Sequence, residues 1–398
     1  MSEGSSALST TMSDPSGPYR VMICDDSAVI RGLITRSIEA DPEIQVVTTV
    51  ANGQLAINAL SRFDVEVLIL DIEMPVMDGL TALPKLIETR PDLQIIMAST
   101  LTRRNADISM QALAAGAADY LAKPTTTMAL NAAADFKTQL VLKIKALGAA
   151  RRKAAGQRAP SPVRRTEAPA TAPHVTPTVR PIAATPRPSL ISPKGPLSLR
   201  PPMTETPEIV AIGSSTGGPQ ALFTVLSGLK PGIPQPILIT QHMPATFTTI
   251  LAEHIQRASG LPTVEASDGM PIQGGHVYVA PGDFHMVAES QGTQRVIRLL
   301  KTPPENFCRP SVDPMLRSLV KIYGKRIFTV ILTGMGQDGL RGGEAVIAAG
   351  GSLIAQDEAS SVVWGMPGAV AQAGLCSAVL PLLEIPAYVR RVAARAPS

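Results

Sequence analysis

The sequence predicts two α/β units, each built on an open and mostly parallel sheet, separated by a tether. Three observations predict this. Short apolar runs of strand length alternate with longer amphipathic stretches twice along the chain, and 398 residues exceed a single core of common size. A segment between the two alternating regions is too rich in proline to bury anything. At roughly 150 residues per domain the length allows two or three compact units, and discounting the tether leaves two.

In the first unit the runs Arg20 to Cys24, Ile44 to Val50, Val65 to Leu70, Gln94 to Met97 and Asp119 to Leu121 read as strands, each followed by an amphipathic stretch. Five such βα units imply a parallel sheet covered on both faces, because parallel strands need crossover connections. Pro84 falls inside the third helical stretch and is expected in its first turn, where a missing N–H costs nothing. In the second unit Ile209 to Ile212, Pro236 to Thr240, His276 to Val279 and Ile327 to Thr333 read as strands, with helices and glycine-rich turns between them.

The expected boundaries are a disordered leader over 1–17, the first unit over 18–146, the tether over 147–207, the second unit over 208–392 and a tail over 393–398. From Arg151 to Pro207 the chain holds thirteen of its 36 prolines, ten Lys or Arg and two Glu. His174, inside this stretch, has no expected role. Subtracting the local balance of +8 from the total of +4 leaves −4 for the rest, so the folded units have no basic face and nucleic acid is not an expected partner. No apolar run approaches the ~20 residues that span a bilayer, and the polar start lacks a signal core, so a cytoplasmic chain without membrane insertion is expected. Cys24, Cys308 and Cys376 form no close pair and read as buried, reduced thiols.

Functional groups in open α/β sheets gather beyond the carboxyl ends of the strands. In the first unit these are Asp25, Asp26, Asp71, Ser99, Thr100 and Lys123. Three converging carboxylates suit a divalent cation with open positions, such as Mg²⁺. Asp71 ends the central strand and is the candidate nucleophile for a phosphoryl group, with the Lys123 ammonium and a hydroxyl, Ser99 in preference to Thr100, to offset its charge. Capping of the following helices would account for any one of these acids, but not for the lysine on the last strand.

In the second unit GSSTGG has the G-x-S-x-G spacing of a nucleophile elbow, which lifts Ser215 out of a sharp strand-to-helix turn. A serine and glycine turn that only caps a helix is the plainer alternative. His242, after the strand PILIT, reaches the same level and is the candidate base. His254 reads as a helix residue with a satisfied role, and His276 and His285 are secondary candidates for lining a cleft. Asp338, beyond a long apolar run, is the candidate carboxylate, and the Met335 amide between Gly334 and Gly336 is a candidate oxyanion donor.

The residues ICDDS, LILDIEMPVMDG and YLAKP resemble the receiver domains of two-component response regulators, and IGSSTGGPQAL, ITQHMP, YVAPGDFHM, RPSVD, ILTGMGQDG and WGMP resemble the catalytic domain of bacterial chemotaxis protein-glutamate methylesterases. The first resemblance implies a flavodoxin-like receiver with Asp71 as phosphoacceptor, Asp25 and Asp26 as metal carboxylates, Lys123 as phosphate contact and Tyr120 as switch aromatic. The second implies Ser215 as nucleophile, His242 as general base and acid and Asp338 as its orienting carboxylate. The implied substrate is a glutamyl γ-methyl ester on a chemoreceptor, with deamidation of receptor glutamines by the same route. A chemotaxis histidine kinase is the implied phosphodonor, Mg²⁺ serves the receiver alone, and ester hydrolysis needs no cofactor. Ser214 stands where the family usually has alanine, and Gly368 where a basic residue is common. The unphosphorylated receiver is expected to pack over the mouth of the Ser215 cleft.

Two other classes fit parts of the chain. One is a nucleotide-binding output domain using the turn at Gly213, which lacks the G-x-G-x-x-G spacing; the other is a DNA-binding output, which the charge balance disfavours.

Overall fold

The computed structural model describes residues 17–100, 102–123, 130–158 and 197–394. The expected leader up to residue 16, the middle of the tether with His174, and residues 395–398 of the tail lie outside the described residues.

The first unit alternates β1 (Tyr19–Cys24), α1 (Ala28–Ile38), β2 (Ile44–Val50), α2 (Gly53–Ala59), β3 (Val67–Asp71), α3 (Gly79–Thr89), β4 (Gln94–Ser99), α4 (Arg103–Ala114), β5 (Asp119–Ala122) and α5 (Leu130–Arg158). Its five strands pair in parallel in the order β2-β1-β3-β4-β5. The order reverses between β1 and β3, so their carboxyl ends border the crevice where open sheets of this kind hold ligands. β3 is buried throughout, as expected of a central parallel strand covered on both faces.

Pro84 is the sixth residue of α3 and not in its first turn. Pro84 is exposed, so its ring sits on the solvent side of the helix and displaces no core side chain. The tether expected from residue 147 starts later, because α5 runs to Arg158. Arg152 gives Nε and Nη2 to the carboxylate of Glu66, a side chain 1 % exposed, and that buried charge fixes the end of the helix. At the other end Arg200 already donates its amide to the Cys376 carbonyl, and its Nε to that of Gly374.

The second unit contains β6 (Ile209–Ser214), α6 (Gly218–Ser227), β7 (Ile237–Gln241), α7 (Ala245–Ser259), β8 (Thr263–Glu265), β9 (Val277–Val279), β10 (His285–Gln291), β11 (Gln294–Leu300), α8 (Val312–Tyr323), β12 (Ile327–Ile331), α9 (Leu340–Ala348), β13 (Ser352–Gln356), α10 (Met366–Gln372), β14 (Ala378–Leu380) and α11 (Ile385–Ala393). Seven strands form one parallel sheet in the order β14-β13-β12-β6-β7-β9-β8, and β10 and β11 make a separate antiparallel hairpin. The chain leaves β6 toward β7 on one side and later returns to β12 on the other, so the carboxyl ends of β12, β6 and β7 lie side by side at the switch point.

The units pack through α4 and β5 of the first and α6 and α7 of the second, and one apolar cluster runs across both. Tyr120 stacks on Phe247 with ring centroids 4.5 Å apart. Around this pair Thr216 donates its hydroxyl to Asp119 Oδ2 at 2.8 Å, and Gln220 donates to the Ala117 carbonyl. His254 meets Asp107 Oδ1 at 2.7 Å, and Arg103 meets Glu253 at 2.6 Å. His254 is thus satisfied as expected, by a residue of the other unit. Among the described residues no helix is long and apolar enough to cross a membrane.

Candidate functional site

At the carboxyl edge of the first sheet Asp25 follows β1 directly and Asp71 ends β3; both are buried, while Asp26 is exposed. The ligand oxygens of the three lie within 4.8 Å of one another. Lys123, just past β5, bridges two of them, with Nζ 2.7 Å from Asp25 Oδ2 and 2.6 Å from Asp71 Oδ1. Burial pushes the Asp71 carboxyl up and Asp25 adds to it, against the pull of Lys123. An all-oxygen, triply acidic donor set with one exposed member suits a hard divalent cation. A cavity of ≈ 450 Å³ lined by Asp26, Ile72, Met74, Arg104 and others opens beside it.

The remaining candidates of this unit divide. Ser99 ends β4, is buried, and has Ser109 Oγ 3.2 Å from its own. Thr100 is exposed and accepts from Asn105 Nδ2 at 2.7 Å, so it serves the start of α4 instead. Tyr120 is directed away from the acids and into the interface with the second unit.

In the second unit Ser215 is the first residue after β6, His242 the first after β7, and Asp338 stands in the loop after β12. The strand ends are cross-linked: Ser215 N–H donates to the Thr333 carbonyl, His242 N–H to that of Ser214, and Gln241 Nε2 to that of Ser215. Gly217 has φ 75°, and a Cβ there would meet Val362 at 2.6 Å, so glycine alone permits the turn that lifts Ser215. Gly334 lets the β12 loop close on the serine, since a Cβ there would stand 2.9 Å from Ser215 Cβ. The Met335 amide in this loop donates to no group among the described residues.

The two adjacent serines differ plainly. Ser215 is half-buried, whereas Ser214 is fully buried and donates its hydroxyl to Gln241 Oε1 at 2.7 Å. The glycine at 368 has a packing reason, because a Cβ there would press on the Trp364 ring at 2.9 Å.

His242 Nε2 lies 2.7 Å from Asp338 Oδ2. Asp338 also accepts from the amides of Val312, Asp313 and Gly339, from Ser311 Oγ and from Asn306 Nδ2. Burial would raise its carboxyl, but His242 and these donors hold it down at about 2. Behind it Asp313 is pushed up by burial and by the Asp338 charge. His242 is raised to about 10: burial works downward, and its contacts with Cys308 and Asp338 overcome it.

Three outcomes differ from the reading of the sequence. His285 is fully buried and braces the Ser311 amide and the Pro303 carbonyl, so it does not line the cleft. His276 contacts the Gly274 carbonyl and lies against the Tyr278 ring. Cys24 and Cys376 are buried thiols pushed up to about 12 by burial, but Cys308 is half-exposed, with Sγ 3.3 Å from His242 Nδ1. Neither Cys308 nor Asn306 carried a recognisable motif, and the spacing RPSVD nearby was the only pointer to this loop.

The family described as CheB methylesterase matches residues 210–389, and the response regulator receiver domain matches residues 21–135. A protein-glutamate methylesterase/protein-glutamine glutaminase of Paramagnetospirillum magneticum is 61% identical over 378 residues, covering 94% of this chain and 96% of its own. One of Rhodospirillum rubrum is 58% identical over 379 residues, covering 95% and 96%. Among solved structures, the catalytic domain of Thermotoga maritima CheB methylesterase is 41% identical, covering 47% of this chain and 99% of its own, with a TM-score of 0.46. With the identity sustained through both units and the strand-end residues in place, the chain belongs to the protein-glutamate methylesterase/protein-glutamine glutaminase family, a receiver domain joined to a CheB methylesterase domain.

Proposed function

We propose that the chain hydrolyses glutamyl γ-methyl esters on chemoreceptors, releasing methanol, and deamidates selected receptor glutamines by the same route, under control of phosphorylation at Asp71 by a chemotaxis histidine kinase. The observation that carries this reading is the Asp338–His242 pair set beside half-buried Ser215 on three neighbouring strand ends.

Because Nε2 faces Asp338, the proton on that nitrogen is held there and Nδ1 is the basic atom. Nδ1 takes the Ser215 proton as Oγ attacks the ester carbon, and the resulting oxyanion accepts from the Met335 amide. Collapse expels the methoxy group, which takes the proton from His242 and leaves as methanol. Water then attacks the acyl-serine, giving its proton to His242, and glutamate and Ser215 are released. With a glutamine substrate ammonia replaces methanol.

In the receiver, Asp25, Asp26 and Asp71 would hold a Mg²⁺ ion, whose chemistry there is to offset the charge of an incoming phosphoryl group. Asp71 is the acceptor because it ends the central strand, and Lys123 must exchange a carboxylate contact for a phosphoryl oxygen. Lys123 lies three residues after Tyr120 and four after Asp119, which hold Phe247 and Thr216 of the catalytic unit. Thr216 adjoins Ser215, so a shift of the β5 end bears directly on the cleft and supports release of the receiver on phosphorylation.

The test is methanol release from a methyl-labelled receptor. Release by the full chain should rise on phosphorylation and on removal of residues 1–158, and should fail with Ser215→Ala. Undiminished release by Ser215→Ala would overturn the reading, and a fall on removing 1–158 would assign the receiver a recruiting role.

A further inference from the structure

We propose that Cys308 is a positioning residue of the hydrolytic reaction: its thiol holds Nδ1 of His242, and Ser215 must displace it to reach the base. This rests on the reading of Ser215, His242 and Asp338 given above.

His242 has two ring nitrogens, and Asp338 engages Nε2 at 2.7 Å. The other, Nδ1, is the only atom left to receive the Ser215 proton, and Cys308 Sγ lies 3.3 Å from it. No hydrogen bond joins the Ser215 hydroxyl to His242 among the described residues. The sulfur occupies the place that the serine oxygen needs.

The loop around Cys308 is shaped to put it there. Glu305 and Cys308 exchange both backbone hydrogen bonds, N–H of each to the carbonyl of the other, at 3.1 and 2.9 Å. Between them Asn306 and Phe307 have φ of 52° and 63°, a left-handed conformation that is costly for a bulky aromatic residue. Phe307 recovers nothing by packing, since its side chain is wholly exposed. Asn306 Nδ2 spans Asp338 Oδ1 and Asp313 Oδ2, both at 2.9 Å, tying the turn to the same carboxylate that orients His242. The strained pair throws Phe307 outward, turns Cys308 inward and fixes its register to the base.

The charged and titratable groups facing His242 are Asp338 on the β12 loop, with Asp313 of α8 behind it, and Cys308; His285 of β10 lies one layer further, against the Ser311 amide. Of these, Cys308 and Asp338 favour the imidazolium, in line with the upward displacement of His242. The Cys308 contact at Nδ1 favours the protonated ring, so deleting it must lower the pH at which the base becomes available.

Cys308→Ala and Cys308→Ser should both move the acid limb of the kcat/KM profile to lower pH by about one unit, raising activity below the wild-type limb on the order of tenfold, because losing a partner that favours the protonated ring lowers its titration and one unit is about tenfold. A purely structural cysteine would lower activity at every pH without moving the limb, and that result overturns the proposal. A second measurement is independent of ester hydrolysis. In the Ser215→Ala chain, alkylation of Cys308 by iodoacetamide, read by peptide mass, should slow several-fold when His242 is also replaced by Ala, with buried Cys24 and Cys376 as internal references. Alkylation indifferent to His242 overturns the pairing, whether or not the protein proves to be an esterase. Absence of hydrolysis with His242-dependent alkylation instead retains the Cys308–His242 pair and removes the functional reading on which its role rests.

Discussion

The receiver and the catalytic domain place buried carboxylates at the same point of the same kind of sheet, yet treat them oppositely. Asp71 is 5 % exposed and Asp338 1 %. Asp71 has one ammonium and its neighbouring Ile72 amide as partners, with Asp25 pressing on it, and its carboxyl is raised. Asp338 has six donors and is held at about 2. Burial therefore does not decide what a carboxylate can do; the number of donors around it does. An undersupplied carboxylate gains by taking a metal or a phosphoryl group, whereas a saturated one can only orient what touches it.

The largest effect that tests this contrast is chemical labelling of the receiver. Asp71→Asn should abolish acyl-phosphate formation from acetyl phosphate and Mg²⁺, and chelating the metal should suppress labelling of the wild type. Full labelling of Asp71→Asn would place the phosphoacceptor elsewhere.

On the catalytic side Ser215→Ala should lose a factor of roughly 10³ or more in ester hydrolysis, as when other serine nucleophiles are removed. Ser214→Ala should remain close to wild type in rate, because that hydroxyl is spent on Gln241 inside the fold. It should cost about 1 kcal/mol of stability, the worth of one neutral hydrogen bond, readable as a lower denaturant midpoint. Equal kinetic losses in the two variants would displace Ser215 as nucleophile.

Asp338 should also mark the acid side of stability. Its folded-state value of about 2 lies below the ordinary carboxylate value of roughly 3.9, so its contribution is present above the unfolded value and is lost as pH falls through the folded one. Asp338→Asn should flatten this part of the pH dependence of catalytic-domain unfolding. A profile between pH 4 and 2 that keeps the wild-type slope would mean that other acids set it.

What the sequence disclosed and what it hid follow a physical line. The strands that carry the sites are apolar runs followed by polar strand ends, and β1 through β5, β6, β7, β9 and β12 were legible for that reason. The edge strands β8 and β14, only three residues each, and the five-residue β13 were not assigned, nor was the β10–β11 hairpin. In the candidate catalytic site Ser215, His242 and Asp338 were legible because strand ends converge by topology alone. Cys308 was not, because its approach to His242 depends on two non-glycine residues with positive φ, a conformation without a sequence signature. Nor could Phe247, Thr216 and Asp107 be read as the partners that Tyr120, Asp119 and His254 find across the two units, since those contacts depend on how the units dock.

That docking supplies the smallest and most discriminating effect. The Tyr120–Phe247 stack joins the strand next to the acidic site to the helix that follows His242. An aromatic pair of this kind is worth about 0.5–1.5 kcal/mol beyond its buried area, which corresponds to roughly two- to tenfold in a docking equilibrium. Tyr120→Leu and Phe247→Leu keep apolar bulk and lose the stack. If the docked receiver restrains the cleft, each should raise unphosphorylated hydrolysis by about that factor, less than removal of residues 1–158 does. The phosphorylated rate of Phe247→Leu serves as its control, because a change there would report damage to α7 and not release of the receiver. The double variant should exceed neither single one by much, since both remove the same contact and their effects cannot add. Fully multiplicative effects would show that the two rings act on the cleft separately, and the coupling between acidic site and serine would then have to run through the Asp119–Thr216 hydrogen bond instead.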